Sequence, residues 1–133
     1  MVGVESIRII PDLQFTVLCD DVRREHNGKH MLIGLFETIG AKKFPVQHPS
    51  FFVINRWCNG VGEFKQKTVI RYPDDTILAE DAETLIQLRD LKAKHTIIAR
   101  FNNLRFPEPS EYSVDIRING ETKIRYPLLL VQD

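Results

Sequence analysis

The chain has 133 residues, 43% hydrophobic and 27% charged, with 18 Lys plus Arg balanced by 18 Asp plus Glu. That length fits one domain whose core needs no metal or disulfide staple, and the zero net charge gives no overall pull toward nucleic acid or an anionic membrane. No apolar run approaches the roughly 20 residues of a membrane-spanning helix.

The opening "MVGVESIRIIPDLQ" has no basic leader before a long apolar run, so no secretory signal is expected. Residues 1–12 read as an N-terminal edge strand, "SIRII" ended by Pro11, or as an arm. Residues 13–133 read as one β-sandwich domain. Cys19 and Cys58 are the only cysteines and no Asn-x-Ser/Thr sequon occurs, which points to a reducing cytoplasm where both thiols stay free.

Along the chain the hydrophobic period is two. "LQFTVLCDD" sets Phe15, Val17 and Cys19 against Gln14 and Thr16. "HMLIGLFETI" is apolar at nearly every position, as expected of a strand covered on both faces, and "SFFVINRW" is similar, with Trp57 as a large core residue. In "EFKQKTVIRY", Phe64, Thr68, Ile70 and Tyr72 oppose Lys65, Lys67 and Arg71. "YPDDT" is a turn, with Pro73 setting φ and Asp74 or Asp75 bonding back to the backbone.

The stretch 78–94 admits a helix through Leu85, Leu88 and Leu91. It also admits a strand "ETLIQL" with a loop before the strand "TIIARFN", and the all-β surroundings favour this second reading. "NLRFPEPSEY" reads as a proline-rich loop. "EYSVDIRING" alternates Tyr112, Val114, Ile116 and Ile118 against Ser113, Asp115 and Arg117. Asn119-Gly120 then suits a type I′ hairpin. The returning "ETKIRYPLLLV" points Ile124 and Tyr126 inward, and Pro127 belongs at a bulge or on an edge strand. Tyr112 opens a late strand just after a loop, where a tyrosine corner would bond its hydroxyl to the upstream backbone. Seven to eight short strands, with at most one short helix, predict an all-β, two-layer antiparallel immunoglobulin-like β-sandwich.

The densest cluster of chemistry-bearing residues is "VLCDDVRREHNGKH", Val17–His30. Asp20, Asp21, His26 and His30 could ligate a metal, with Cys19 as a further donor. Asn27-Gly28 breaks any helix that would align the two histidines, so they should flank a hairpin turn and face each other across its strands. The alternative is a polar turn whose charges, Asp20, Asp21, Arg23, Arg24 and Glu25, form a binding surface. Cys19 as a nucleophile would need a lowered pKa, and two adjacent carboxylates act in the opposite direction, so it reads as a small buried hydrophobe. Cys58 abuts Trp57, unlike the spacing of an immunoglobulin disulfide. Lys65, Lys67, Arg71, Arg117, Lys123 and Arg125 fall on the outward sides of three strands. Such a face could meet phosphate, but the interleaved Asp115 and Glu121, and the lack of outward aromatics, favour a solvated sheet face.

"LCDDVRRE-NGKHMLIGLF", "FPVQHPSF" and "FPEPSEYSVDIRING" together resemble a family of small bacterial proteins of unknown function. In that family a Cys-Asp-x-Val-Arg-x-Glu segment precedes a Gly-Lys and a Leu-Ile-Gly strand. The resemblance implies an immunoglobulin-like sandwich and carries no activity, cofactor or binding residue. The expected protein is a cytoplasmic, non-catalytic binding or assembly module without a cofactor. Its partner would be another protein or a second copy of itself, with no membrane or nucleic acid. Asp20 to Lys29 and Arg105 to Glu111 are the loops best placed for contact. The alternatives are a metal-binding protein or metal-dependent enzyme at Asp20–His30 and, more weakly, nucleic-acid binding on the basic face.

Overall fold

The structure, a computed structural model, describes residues 7–133. Among these residues there are ten strands and no helix. They are β1 (Asp12–Arg24), β2 (His30–Phe36), β3 (Thr38–Ala41), β4 (Val46–Cys58), β5 (Gly62–Arg71), β6 (Ile77–Glu80), β7 (Thr84–Leu88), β8 (His95–Phe106), β9 (Ser110–Ile118) and β10 (Glu121–Gln132). The count exceeds the expected seven to eight for two reasons. The run "HMLIGLFETI" divides at Glu37 into β2 and β3, which join different sheets, and the 77–88 segment supplies two short strands. "NLRF" is the end of β8 and no loop, so only the residues around Pro107–Pro109 connect it to β9.

One sheet has the order β2-β1-β4-β8, and the other β3-β10-β9-β5-β6, with β7 also paired to β5. Every pairing is antiparallel except β3 with β10, a parallel pair the expectation of a fully antiparallel fold did not include. A single apolar cluster joins the sheets. Leu18, Phe51, Val53, Trp57, Ile97 and Phe101 come from the first sheet, and they pack with Phe64, Ile70, Tyr112, Val114, Ile116 and Leu128 from the second. Between them lies a polar contact. Asn55 Nδ2 donates to Thr68 Oγ1 (2.9 Å) and Gln66 Oε1 (3.3 Å), and Trp57 Nε1 donates to the same Gln66 oxygen (3.4 Å). All four side chains are fully buried.

Two local readings hold. Asn119 and Gly120 have φ of 49° and 80°, as a type I′ turn requires. Asn119 also ties this turn to β5, its Oδ1 accepting from Lys65 N at 2.9 Å. Tyr112 forms the expected corner, with its hydroxyl donating to Glu108 O at 2.8 Å. Tyr112→Phe keeps the ring and strands that carbonyl, so it should cost about 1–3 kcal/mol in urea denaturation.

Pro127 departs from the expectation. The bulge in β10 lies between Thr122 and Ile124, and β10 is an interior strand. Leu129 N donates toward Glu37 O on the β3 side, so the N-side of residue 127, two positions earlier, faces the same way. β3 pairs with β10 only from Leu129 onward. The missing N–H of Pro127 therefore costs no ladder bond.

In β1, a register shift between Leu13 and Phe15 turns Leu13 and Leu18 toward the core and Phe15, Val17 and Cys19 to the opposite face. Cys19 and Ile54 are nonetheless buried there. The β1–β2 hairpin leans over this face, so that Gly28, His30 and Leu32 line one depression with Phe15, Ile54 and Arg56. Of the N-terminal segment, Ile9 forms an isolated bridge to Val61. A side chain at Gly60 would meet Pro11 Cβ at 2.6 Å and the Ile9 carbonyl at 2.8 Å, so glycine lets the arm lie against the turn after β4. Residues 1–6, and with them the rest of the expected edge strand or arm, lie outside the described residues.

Candidate functional site

The hairpin cluster is built by β1, β2 and the turn between them. Gly28 N donates to Glu25 O (2.9 Å) and Glu25 N to Lys29 O (2.8 Å), while Gly28 has φ of 87°. This is a three-residue hairpin loop closed by a bulge with glycine in the left-handed region. Asn27 Oδ1 accepts from Lys29 N at 3.0 Å and stiffens the tip. Asp21 Oδ1 accepts from Val22 N (2.8 Å) and its Oδ2 from Arg23 Nε (2.9 Å). These bonds, the Arg23 one foremost, hold the Asp21 carboxyl below the usual aspartate range. Arg24 Nη2 lies 3.2 Å from His30 Nε2 across the strands.

The histidines do not face each other as expected. His30 stands opposite Arg24, and His26 occupies the exposed tip of the turn. Asp20 and Asp21, adjacent in a strand, point to opposite faces. Asp20 lies against Gly34, whose φ of 74° and missing side chain make the space for it. No group of three or more His, Cys, Asp or Glu close enough to hold a metal occurs among the described residues. Asp20, Asp21, His26 and His30 are therefore not assembled as one ligand set.

Cys19 and Cys58 are free and buried. Burial pushes the Cys19 thiol up, and the Asp20 and Asp21 carboxylates add to this, against hydrogen bonding from the Asp21 and Ile33 backbone. The thiolate is thereby disfavoured. His48 sits beside Phe36 and Phe51 with centroid separations of 6.0 and 5.6 Å. Burial holds its pKa below the usual histidine value, opposed by the charge of Asp20. A groove of about 750 Å³ runs between the sheets past Thr16, Leu18, Phe36, Tyr126 and Leu129. Within it the Tyr126 hydroxyl is bonded to Thr16 Oγ1 at 2.8 Å, and burial pushes its pKa up to about 12. Such a phenol carries no acid–base chemistry near neutrality.

The cations of the expected basic face do share a sheet, with Lys67 beside Arg117 in register. They are largely paired. Lys67 Nζ meets Glu80 at 3.1 Å, Arg71 and Arg117 both meet Asp115 Oδ2 (3.0 and 3.1 Å), and Arg125 pairs with Asp75. Lys123, at the β10 bulge, reaches Asp12 of the other sheet at 3.6 Å.

The strand β2 is the feature the sequence reading missed. It is an edge strand, unlike the doubly covered strand expected from its composition. Met31, Ile33 and Leu35 are 46%, 42% and 62% exposed. A continuous apolar run reads the same whether the covering layer belongs to this chain or to another.

Fold and surface together define an all-β protein of two packed sheets, with a rigid charged hairpin beside an open apolar edge. The chain belongs to a family of unknown function, DUF6941, which it matches over residues 14–131. No curated protein and no solved structure matches it.

Proposed function

We propose that this protein is a non-catalytic binding or assembly module of the bacterial cytoplasm, built on an immunoglobulin-like sandwich. The β1–β2 hairpin is its contact surface for a protein partner. The observation that carries this reading is the fixed geometry of the charged tip. Asp21 clamps Arg23 and the Val22 backbone, Asn27 clamps Lys29, and Arg24 rests on His30. A surface ordered before contact loses less entropy on binding. The Tyr112 corner supports the immunoglobulin-like assignment, and two free buried thiols support a reducing compartment. No helix among the described residues is long and apolar enough to cross a membrane. The raised Cys19 thiol and the Tyr126 hydroxyl held near 12 support a role without nucleophilic or acid–base chemistry.

The test is quantitative affinity capture from the native host with wild type and Arg23→Glu/Arg24→Glu. Both side chains are exposed, so the variant should fold as wild type by circular dichroism. It should lose its specific partner by about tenfold or more, as expected for charge reversal at a docking surface. Unchanged capture would overturn the reading. So would stoichiometric metal in untagged protein that disappears on changing His26 and His30 together.

A further inference from the structure

We infer that the open edge of β2 is a self-association site, on which two copies of the chain pair antiparallel about a twofold axis at Ile33. This rests on the reading of the protein as a binding module and adds a second contact to it, with another copy of the chain.

Edge strands in stable monomers are kept short or carry charge or proline, because a free row of N–H and C=O groups templates further pairing. The other edges here follow that rule. β3 and β6 have four residues each and β7 has five, while β8 carries Arg100 and Arg105. From Met31 to Phe36, β2 has neither charge nor proline, and every other residue exposes an apolar side chain.

The bonding phase of the hairpin fixes which backbone groups are open. Glu25 N bonds to Lys29 O, and the register continues through Arg23↔Met31, Asp21↔Ile33 and Cys19↔Leu35. Bonded and non-bonded pairs alternate in an antiparallel ladder. Met31 and Ile33 therefore bond to β1, and His30 and Leu32 direct their N–H and C=O groups to the open side, up to Gly34, where φ is 74° and the ladder to Asp20 is interrupted.

A second copy brings the same edge, so the register is set by the length of overlap, the apolar side chains and the charges at the two ends. Pivoting on Ile33 overlaps the whole of β2. It sets His30 opposite the second copy's Phe36, Leu32 opposite its Gly34 and Met31 opposite its Leu35. The same pivot sets Lys29 opposite the second copy's Glu37, twice over by symmetry. Pivoting on Leu32 or Gly34 shortens the overlap and places Lys29 or Glu37 opposite a hydrophobic residue. Overlap, apolar complementarity and charge thus select one register of one self-complementary contact, as a twofold interface requires. An unrelated partner strand would give no reason for Lys29 and Glu37 to stand equidistant from Ile33.

Sedimentation analysis of the full chain over a wide concentration range tests this. Wild type should approach a mass twice its 15.4 kDa. Ile33→Lys should remain monomeric with an unchanged circular dichroism spectrum, because the side chain is already exposed. Ile33→Cys should form a disulfide-linked dimer on oxidation, since non-bonded antiparallel pairs place Cα atoms about 4.5 Å apart, within disulfide reach. The native cysteines are buried and do not compete. Lys29→Glu should weaken the dimer about two- to fivefold, and the charge swap Lys29→Glu/Glu37→Lys should restore it. Wild type that stays monomeric, or an Ile33→Lys variant that still dimerises, would overturn the inference. In either event, capture that still depends on Arg23 and Arg24 would leave the binding-module reading standing. Dimerisation with no such dependence would retain this edge and remove the hairpin.

Discussion

Trp57→Ala should lower the unfolding free energy by about 3–5 kcal/mol, the range for deleting a large buried aromatic. Trp57 is fully buried on β4, the strand flanked by β1 and β8, and belongs to the cluster joining the two sheets. Truncation opens a cavity between two layers that cannot collapse independently, because each is held by its own ladder. It also removes the indole N–H that donates to Gln66 Oε1, leaving Asn55 Nδ2 as the remaining donor to that oxygen. Domains of this size are stable by about 5–15 kcal/mol, so the variant should survive only near its threshold. Urea denaturation followed by far-ultraviolet circular dichroism is the measurement, the tryptophan signal being lost. The midpoint should fall with little change in slope. Trp57→Phe should recover most of the packing and retain only the hydrogen-bond loss, about 1 kcal/mol. A loss below about 1 kcal/mol for alanine would show that Trp57 does not bridge the sheets.

What the sequence revealed of this fold follows how local each determinant is. The Asn119-Gly120 turn and the Tyr112 corner depend on a few consecutive residues, and both form as read. Trp57 was legible because nothing else in an all-β chain accommodates so large an apolar group. Failures arise where one residue or one neighbour alters the meaning of a pattern. The register shift between Leu13 and Phe15 exchanges the two faces of β1. Phe15 thereby lines the depression under the hairpin, Val17 and Cys19 share its face, and Leu18 takes the core position. Gln66 occupies a core position of β5 although its residue type argues for solvent, and only its partners Asn55 and Trp57, from the facing sheet, explain it.

For the candidate site, the sequence placed the charged hairpin correctly and mistook the relation of its two histidines. A bulge residue at Gly28 decides which positions face each other, and spacing alone does not encode it. The open edge of β2 was invisible for a different reason. Alternation reports whether a face is wet, and β2 reads as apolar throughout because its exposed side chains are also hydrophobic.

Asp115→Ala should cost about 2–3 kcal/mol, somewhat below the 3–5 kcal/mol for breaking a fully buried ion pair, because its partners are partly solvated. Asp115 lies on the outer face of its sheet yet is only 1% exposed, covered by Arg71 and Arg117, whose side chains retain 17% and 28% exposure. Those arginines are also fixed elsewhere, Arg71 by the Asp75 carbonyl and Arg117 by Thr122 Oγ1 and the Gly120 carbonyl. Loss of the carboxylate therefore leaves two cations in place around an uncharged centre, and the penalty is mutual repulsion with little relaxation. The same change tests what the face is for. Wild type should pass a heparin column at moderate salt, since Asp115, Glu80 and Asp75 neutralise its cations internally. Asp115→Ala should be retained longer, in proportion to the positive charge it uncovers. Strong, salt-sensitive retention of wild type, lost on changing Lys65 and Lys67, would instead make the face a phosphate-binding surface. Asp115 would then be a charge that tunes it. With this internal pairing, the carboxylate is the reason a row of lysines and arginines can lie side by side on one sheet without requiring a polyanion.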